Sequence, residues 1–150
     1  MAQSLVKNYL HITFSTKDRQ PYIDDKISGE LFNYLGGICK NLECYPVIVG
    51  GYLNHVHILC LLSRKIALMK LIEGVKSHSS KWIKTKGEQY KRFYWQHGYG
   101  AFSIHYNKTD IVEKYIANQF MHHRKTSFKE EYLGLLKTHK IDYDERYLWD

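Results

Sequence analysis

The sequence is short of cysteine, proline and long apolar runs, and each shortage removes a class of protein. Cys39, Cys44 and Cys60 are odd in number and form no CxxC pair. Neither a disulfide framework nor a cysteine zinc site is indicated, and the three thiols are expected as small buried hydrophobes. With 2 prolines and no long polar linker, the 150 residues offer no place to divide, so 1–150 is expected to form one domain. The longest nearly apolar stretch, Val56 to Leu62, contains His57 and falls far below the roughly 20 apolar residues that span a bilayer. The first residues, Met1 to Asn8, lack the charged-then-apolar pattern of a secretory signal, so no membrane partner and a cytoplasmic location are expected.

Acidic residues are scarce except at the end of the chain. The formal charge is +7, but Asp142, Asp144, Glu145 and Asp150 face only Arg146 in the last ten residues, which leaves +10 on residues 1–140. A body this basic with 15% aromatic residues suits a polyanionic partner, because clustered Lys and Arg release counterions from phosphates. Nucleic acid leads over an anionic membrane surface, which would call for a basic amphipathic helix.

Hydropathy patterning gives the elements. Asn8 to Thr16 alternates and is rich in β-branched and aromatic residues, which fits a strand. Ile27, Leu31, Tyr34, Leu35 and Ile38 repeat at helical spacing, with Asp24 or Asp25 available as the N-cap. Tyr45 to Gly50 and Tyr52 to Leu62 read as two strands joined at Gly50-Gly51. A helix is expected from Ala67 to about Lys84, and a strand-like segment from Phe93 to Tyr106 around Gly98 and Gly100. A long helix should run from Thr109 or Asp110 to about Arg124, with Phe128 to His139 as a further amphipathic stretch. The order is that of an α+β, ferredoxin-like or RRM-like split βαβ sandwich. It has an antiparallel sheet, helices on one face, and a C-terminal helix carrying Tyr115.

Three groups of residues could carry chemistry. His55 and His57 share one face of a strand with Leu59 and Leu61, so their rings can converge on one ion; the same spacing also suits two strand histidines satisfied by water. Tyr115, Gln119 and His122 form a helical stripe beside an apolar stripe of Val112, Ile116 and Phe120. Docking by the apolar stripe would hold Tyr115 and Gln119 at the sheet edge, and His122 and His123 are expected at the surface or on phosphates. Lys76 to His97 interleaves Lys81, Lys84, Lys86 and Arg92 with Trp82, Tyr90, Phe93, Tyr94 and Trp95, a mixture that suits single-stranded or distorted nucleic acid. The bland alternative is a solvated loop whose rings belong to the core.

Together these residues resemble the single-tyrosine HUH transposases of minimal insertion sequences that move as single-stranded DNA. His55-Val56-His57, Tyr115-Ile116-Ala117-Asn118-Gln119 and Trp95-Gln96-His97-Gly98-Tyr99-Gly100-Ala101-Phe102-Ser103 are similar to the family's three motifs. The resemblance runs from about Tyr9 to Trp149. It implies Tyr115 as the nucleophile and His55, His57 and Gln119 as three neutral ligands of Mg²⁺ or Mn²⁺. It also implies a homodimer whose tyrosine helix can complete the partner's site, and DNA ends recognised as hairpins. Lys81, Lys84, Lys86, Arg92 and His122 are generic candidates for DNA contact. Alternative readings are a domesticated palindrome-processing relative, a replication initiator or relaxase-type nickase, a small metallohydrolase, and a non-catalytic nucleic-acid-binding module.

Overall fold

Period-two alternation and helical periodicity give most of the elements of the structure, a computed structural model that describes residues 2–150. In chain order these are β1 (Tyr9–Ser15), α1 (Ser28–Asn41), β2 (Tyr45–Tyr52), β3 (His55–Leu61), α2 (Leu68–Ile83) and β4 (Gly100–Ile104). They are followed by α3 (Thr109–Ala117), α4 (Gln119–His122), α5 (Phe128–Thr138) and α6 (Glu145–Leu148). The strands form one sheet in the order β2-β3-β1-β4, every pair antiparallel, which is the split βαβ arrangement expected.

Alternation sends Leu10, Ile12 and Phe14 of β1 and Val56, Ile58 and Cys60 of β3 to one sheet face. There they pack with Leu31, Leu35 and Ile38 of α1 and Leu71, Ile72 and Val75 of α2 in a single apolar core. Cys39, Cys44 and Cys60 are free and buried, and burial pushes the Cys39 thiol up to about 12. Truncating a fully buried residue such as Leu35 or Ile58 to Ala would cost about 2–5 kcal/mol. The other face of the same two central strands carries His11, Thr13 and Ser15 beside His55, His57 and Leu59. Helices α3, α4 and α5 lie over this polar face. Among the described residues no helix is long and apolar enough to cross a membrane.

Four local expectations change. The β2–β3 turn is Leu53-Asn54, and Gly50 and Gly51 lie inside β2. Both glycines answer to close approach: a Cβ on Gly50 would stand 3.1 Å from the carbonyl oxygen of Ile116 in α3, and one on Gly51 would stand 2.2 Å from that of His55. Asp24 does not cap α1; its Oδ1 accepts from the Lys26 and Ile27 amides at 3.1 Å, one turn ahead of the helix. Only Gly100–Ile104 of the segment from Phe93 to Tyr106 is a strand, with Trp95 making a lone bridge to Thr16 and Gly98 turning the chain at φ 84°. The long helix from Thr109 breaks at Asn118 (φ −96°, ψ 20°) into α3 and α4. Ile116 is buried as expected, but past the break Phe120 is 44% exposed.

Candidate active site

The two histidines of β3 point from the middle of the sheet into a cover made by the C-terminal helices, and both are fully buried. Their outer nitrogens are tethered. His55 Nδ1 lies 2.9 Å from Asn54 Oδ1, and His57 Nδ1 lies 2.8 Å from Nε2 of His11, its diagonal neighbour on β1. Burial, with the positive charge of a protonated His57 adding to it, would hold the His11 pKa down to about 3, so that ring is neutral at pH 7. Tethering of this kind fixes ring orientation and aims both Nε2 atoms at one place.

That place holds a carboxylate the sequence reading did not include. Glu131 of α5, its side chain 1% exposed, sets Oε1 at 3.0 Å from His57 Nε2 and 3.3 Å from His55 Nε2. Its Oε2 accepts from Gln119 Nε2 at 3.0 Å and from the hydroxyl of Tyr115. Gln119, almost wholly buried, turns its Oε1 to His55 Nε2 at 2.9 Å. Burial alone would raise the Glu131 pKa, but the surrounding His123, His55 and His57 nitrogens outweigh it and hold the carboxyl well below the usual range. Tyr115 moves the other way, upward, through burial and its hydrogen bond to Glu131. In this arrangement it is a phenol.

The donor set fits a divalent cation. Two donors bound at about 2.1 Å and at right angles lie about 3.0 Å apart, the spacing found here between ring nitrogens and side-chain oxygens. His55, its pKa lowered to about 4 by burial, meets Asn54 Oδ1 on one side and Gln119 Oε1 and Glu131 Oε1 on the other, so its Nε2 stands among the oxygens that would share an ion with it. His55, His57 and Glu131 thus form a group able to hold a divalent ion. The buried carboxylate corrects the expectation that only neutral side chains meet there.

Tyr115, His55, His57 and Gln119 come together within one chain. His123, expected at the surface, has a side chain only 2% exposed because it packs beside Tyr52 and His55, while His122 is 36% exposed. The basic candidates are not brought to this site. Lys81 and Lys84 lie at the end of α2, on the opposite sheet face; Lys84 stands 4.3 Å over the Tyr94 ring, Lys86 pairs with Glu30 at 3.3 Å, and Arg92 is exposed. Sequence signals for the missed residues existed. Glu131 sits three residues after Phe128 and four before Leu135, an acid inside an apolar stripe, and His11 with Thr13 and Ser15 gives a central strand a polar face.

Comparisons with known proteins agree with this architecture. A family model described as "Transposase IS200 like" matches residues 4–119. A candidate transposase from Deinococcus radiodurans R1 superposes with a TM-score of 0.61 at 18% identity, covering 79% of this chain and 96% of its own. The structure of a REP-associated tyrosine transposase bound to a REP hairpin has a TM-score of 0.58 at 10% identity, covering 82% of this chain and 73% of its own. No curated protein matches the chain. Glu131 and His123 lie beyond the span the family model matches.

Proposed function

The chain belongs to the IS200-like transposase family, and from that premise we propose that it cuts and rejoins single-stranded DNA through a covalent bond between Tyr115 and a 5′ phosphate. The observation that carries this reading is the meeting of the Tyr115 hydroxyl, His55, His57 and Gln119 on the single buried carboxylate of Glu131. His55, His57 and Gln119, with Glu131 beside them, would hold Mg²⁺ or Mn²⁺. When bound, such an ion polarises the scissile phosphate and offsets charge on the departing 3′ oxygen.

The remaining chemistry belongs to the chain. The Tyr115 oxygen attacks phosphorus in line, an O–P bond forms, the bond to the 3′ oxygen breaks, and the DNA leaves with a free 3′-OH. The tyrosine proton goes first to the acceptor already in contact with it, Glu131 Oε2. A different 3′-OH then attacks the phosphotyrosine and restores the phosphodiester, so strand transfer needs no ATP. Gly50 supports the geometry by letting α3 approach β2 closely enough to bring Tyr115 over the histidines.

Hairpin DNA is the proposed substrate form, by analogy with the hairpin-bound relative of the same fold. Lys81, Lys84, Lys86 and Arg92, away from the catalytic face, are candidates for duplex phosphates rather than for the scissile one, and His122 is a candidate beside the catalytic face. A homodimer is proposed from the family resemblance alone. Cleavage of end-labelled hairpin DNA from the gene's own flanks tests the reading. Wild-type protein with Mn²⁺ should retain the 5′ end on protein in denaturing gels, and Tyr115→Phe should not cut. Cleavage by Tyr115→Phe would assign the attack to water instead.

A further inference from the structure

His122 and His123, at the C-terminal end of α4, stand beside Glu131, and no step of the reaction proposed above uses their ring nitrogens. We propose that His122, His123 and Glu131 form a second divalent-cation site, joined to the His55–His57 site through the shared carboxylate. The three side chains each offer one ligand atom, and these atoms lie within 4.8 Å of one another.

Two observations point to a cation. The first is convergence on one carboxylate: His123 Nε2 lies 3.3 Å from Glu131 Oε1 and His122 Nε2 3.4 Å from Oε2, with the far side of the His123 ring fixed by a 2.6 Å contact between Nδ1 and the Thr126 carbonyl oxygen. The second concerns His122. Its Nε2 is buried with no hydrogen-bond partner, and an unpaired buried nitrogen is a standing cost. One cation between these nitrogens and the carboxylate would give it a partner.

The site is also held in shape without an ion. His122 ends α4, and the chain reaches α5 through Ser127, whose hydroxyl accepts from the Glu130 amide while Glu130 reaches back to Ser127. The 36% exposure of His122 leaves one side open for water or a phosphate oxygen. Two imidazoles and a carboxylate suit Mn²⁺, Co²⁺ or Zn²⁺ better than Mg²⁺. The inference does not depend on Tyr115 acting as a nucleophile, because it is read without DNA.

The test is a titration of the metal-free full chain with Mn²⁺, counting free ion by electron paramagnetic resonance and checking the fold by circular dichroism. Wild type should take up two equivalents. His123→Gln and His122→Gln should each lose one of them, or bind it at least ten-fold more weakly, and His57→Gln should lose the other. The partly exposed His122 keeps the test decisive if His123→Gln does not fold. A single equivalent in wild type would overturn the proposal. So would two equivalents in folded His122→Gln, or the loss of both ions from that variant. Failure of the phosphotyrosine reading would appear only in the DNA assay.

Discussion

Replacing Tyr115 with Phe removes one hydroxyl from the Glu131 carboxylate and nothing else from the packing. A hydrogen bond to a charged, largely buried acceptor contributes about 1.5–3 kcal/mol, and Tyr115 is only partly buried, so the lower end applies. For a chain of this length 1 kcal/mol corresponds to about 2–4 °C in Tm. Metal-free Tyr115→Phe should therefore melt roughly 3–6 °C below wild type in scanning calorimetry with chelator present. The direction is informative, because removing a strained functional group commonly stabilises an enzyme. Here the hydroxyl is satisfied, and its loss leaves Glu131 Oε2 one donor short. A variant that melts at or above the wild-type temperature would show that the Tyr115–Glu131 contact does not exist in the resting protein.

Other substitutions probe different parts of the site. Gly50→Ala sets a methyl 3.0 Å from Ile116 Cγ2 and 3.1 Å from its carbonyl oxygen, so α3 must shift; cleavage should fall about 10–100-fold with hairpin affinity kept. Cleavage rates and gel-shift affinities measured side by side check this. Glu131→Gln should weaken Mn²⁺ binding by at least about 10-fold in calorimetric titration, since even outer partners of ligands matter that much. The buried Tyr90 hydroxyl donates to Asp24 Oδ1 at 2.6 Å, and burial and then that carboxylate push its pKa up from 10.0 to about 12. The unfolded chain gives up this proton first. Stability is therefore full below pH 10 and falls by roughly 2–3 kcal/mol as pH rises to 12, and urea denaturation of Tyr90→Phe should lack that slope.

What could be read in advance followed from strict periodicities. Alternation along β3 alone puts His55 and His57 on one face and Val56, Ile58 and Cys60 on the other. Helical spacing related Tyr115 to Gln119, and both reach the site. Where the reading failed, a tertiary contact outweighed a local preference. Gly50-Gly51 looks like a turn, but these glycines exist for the approach of α3 and of the His55 carbonyl. Phe120 continues an apolar stripe that the break at Asn118 rotates toward solvent. Glu131 was missed because its partners lie on β3, α3 and α4, far away in sequence, and no spacing rule joins a strand histidine to a carboxylate more than 70 residues later.

The most direct test of the mechanism is mass spectrometry of the protein after incubation with its own flanking single-stranded DNA and Mn²⁺. A tryptic peptide carrying a nucleotide on Tyr115, dependent on the metal and absent from Tyr115→Phe, is the expected result. Efficient cleavage with Tyr115 unmodified throughout the time course would contradict covalent catalysis by this tyrosine.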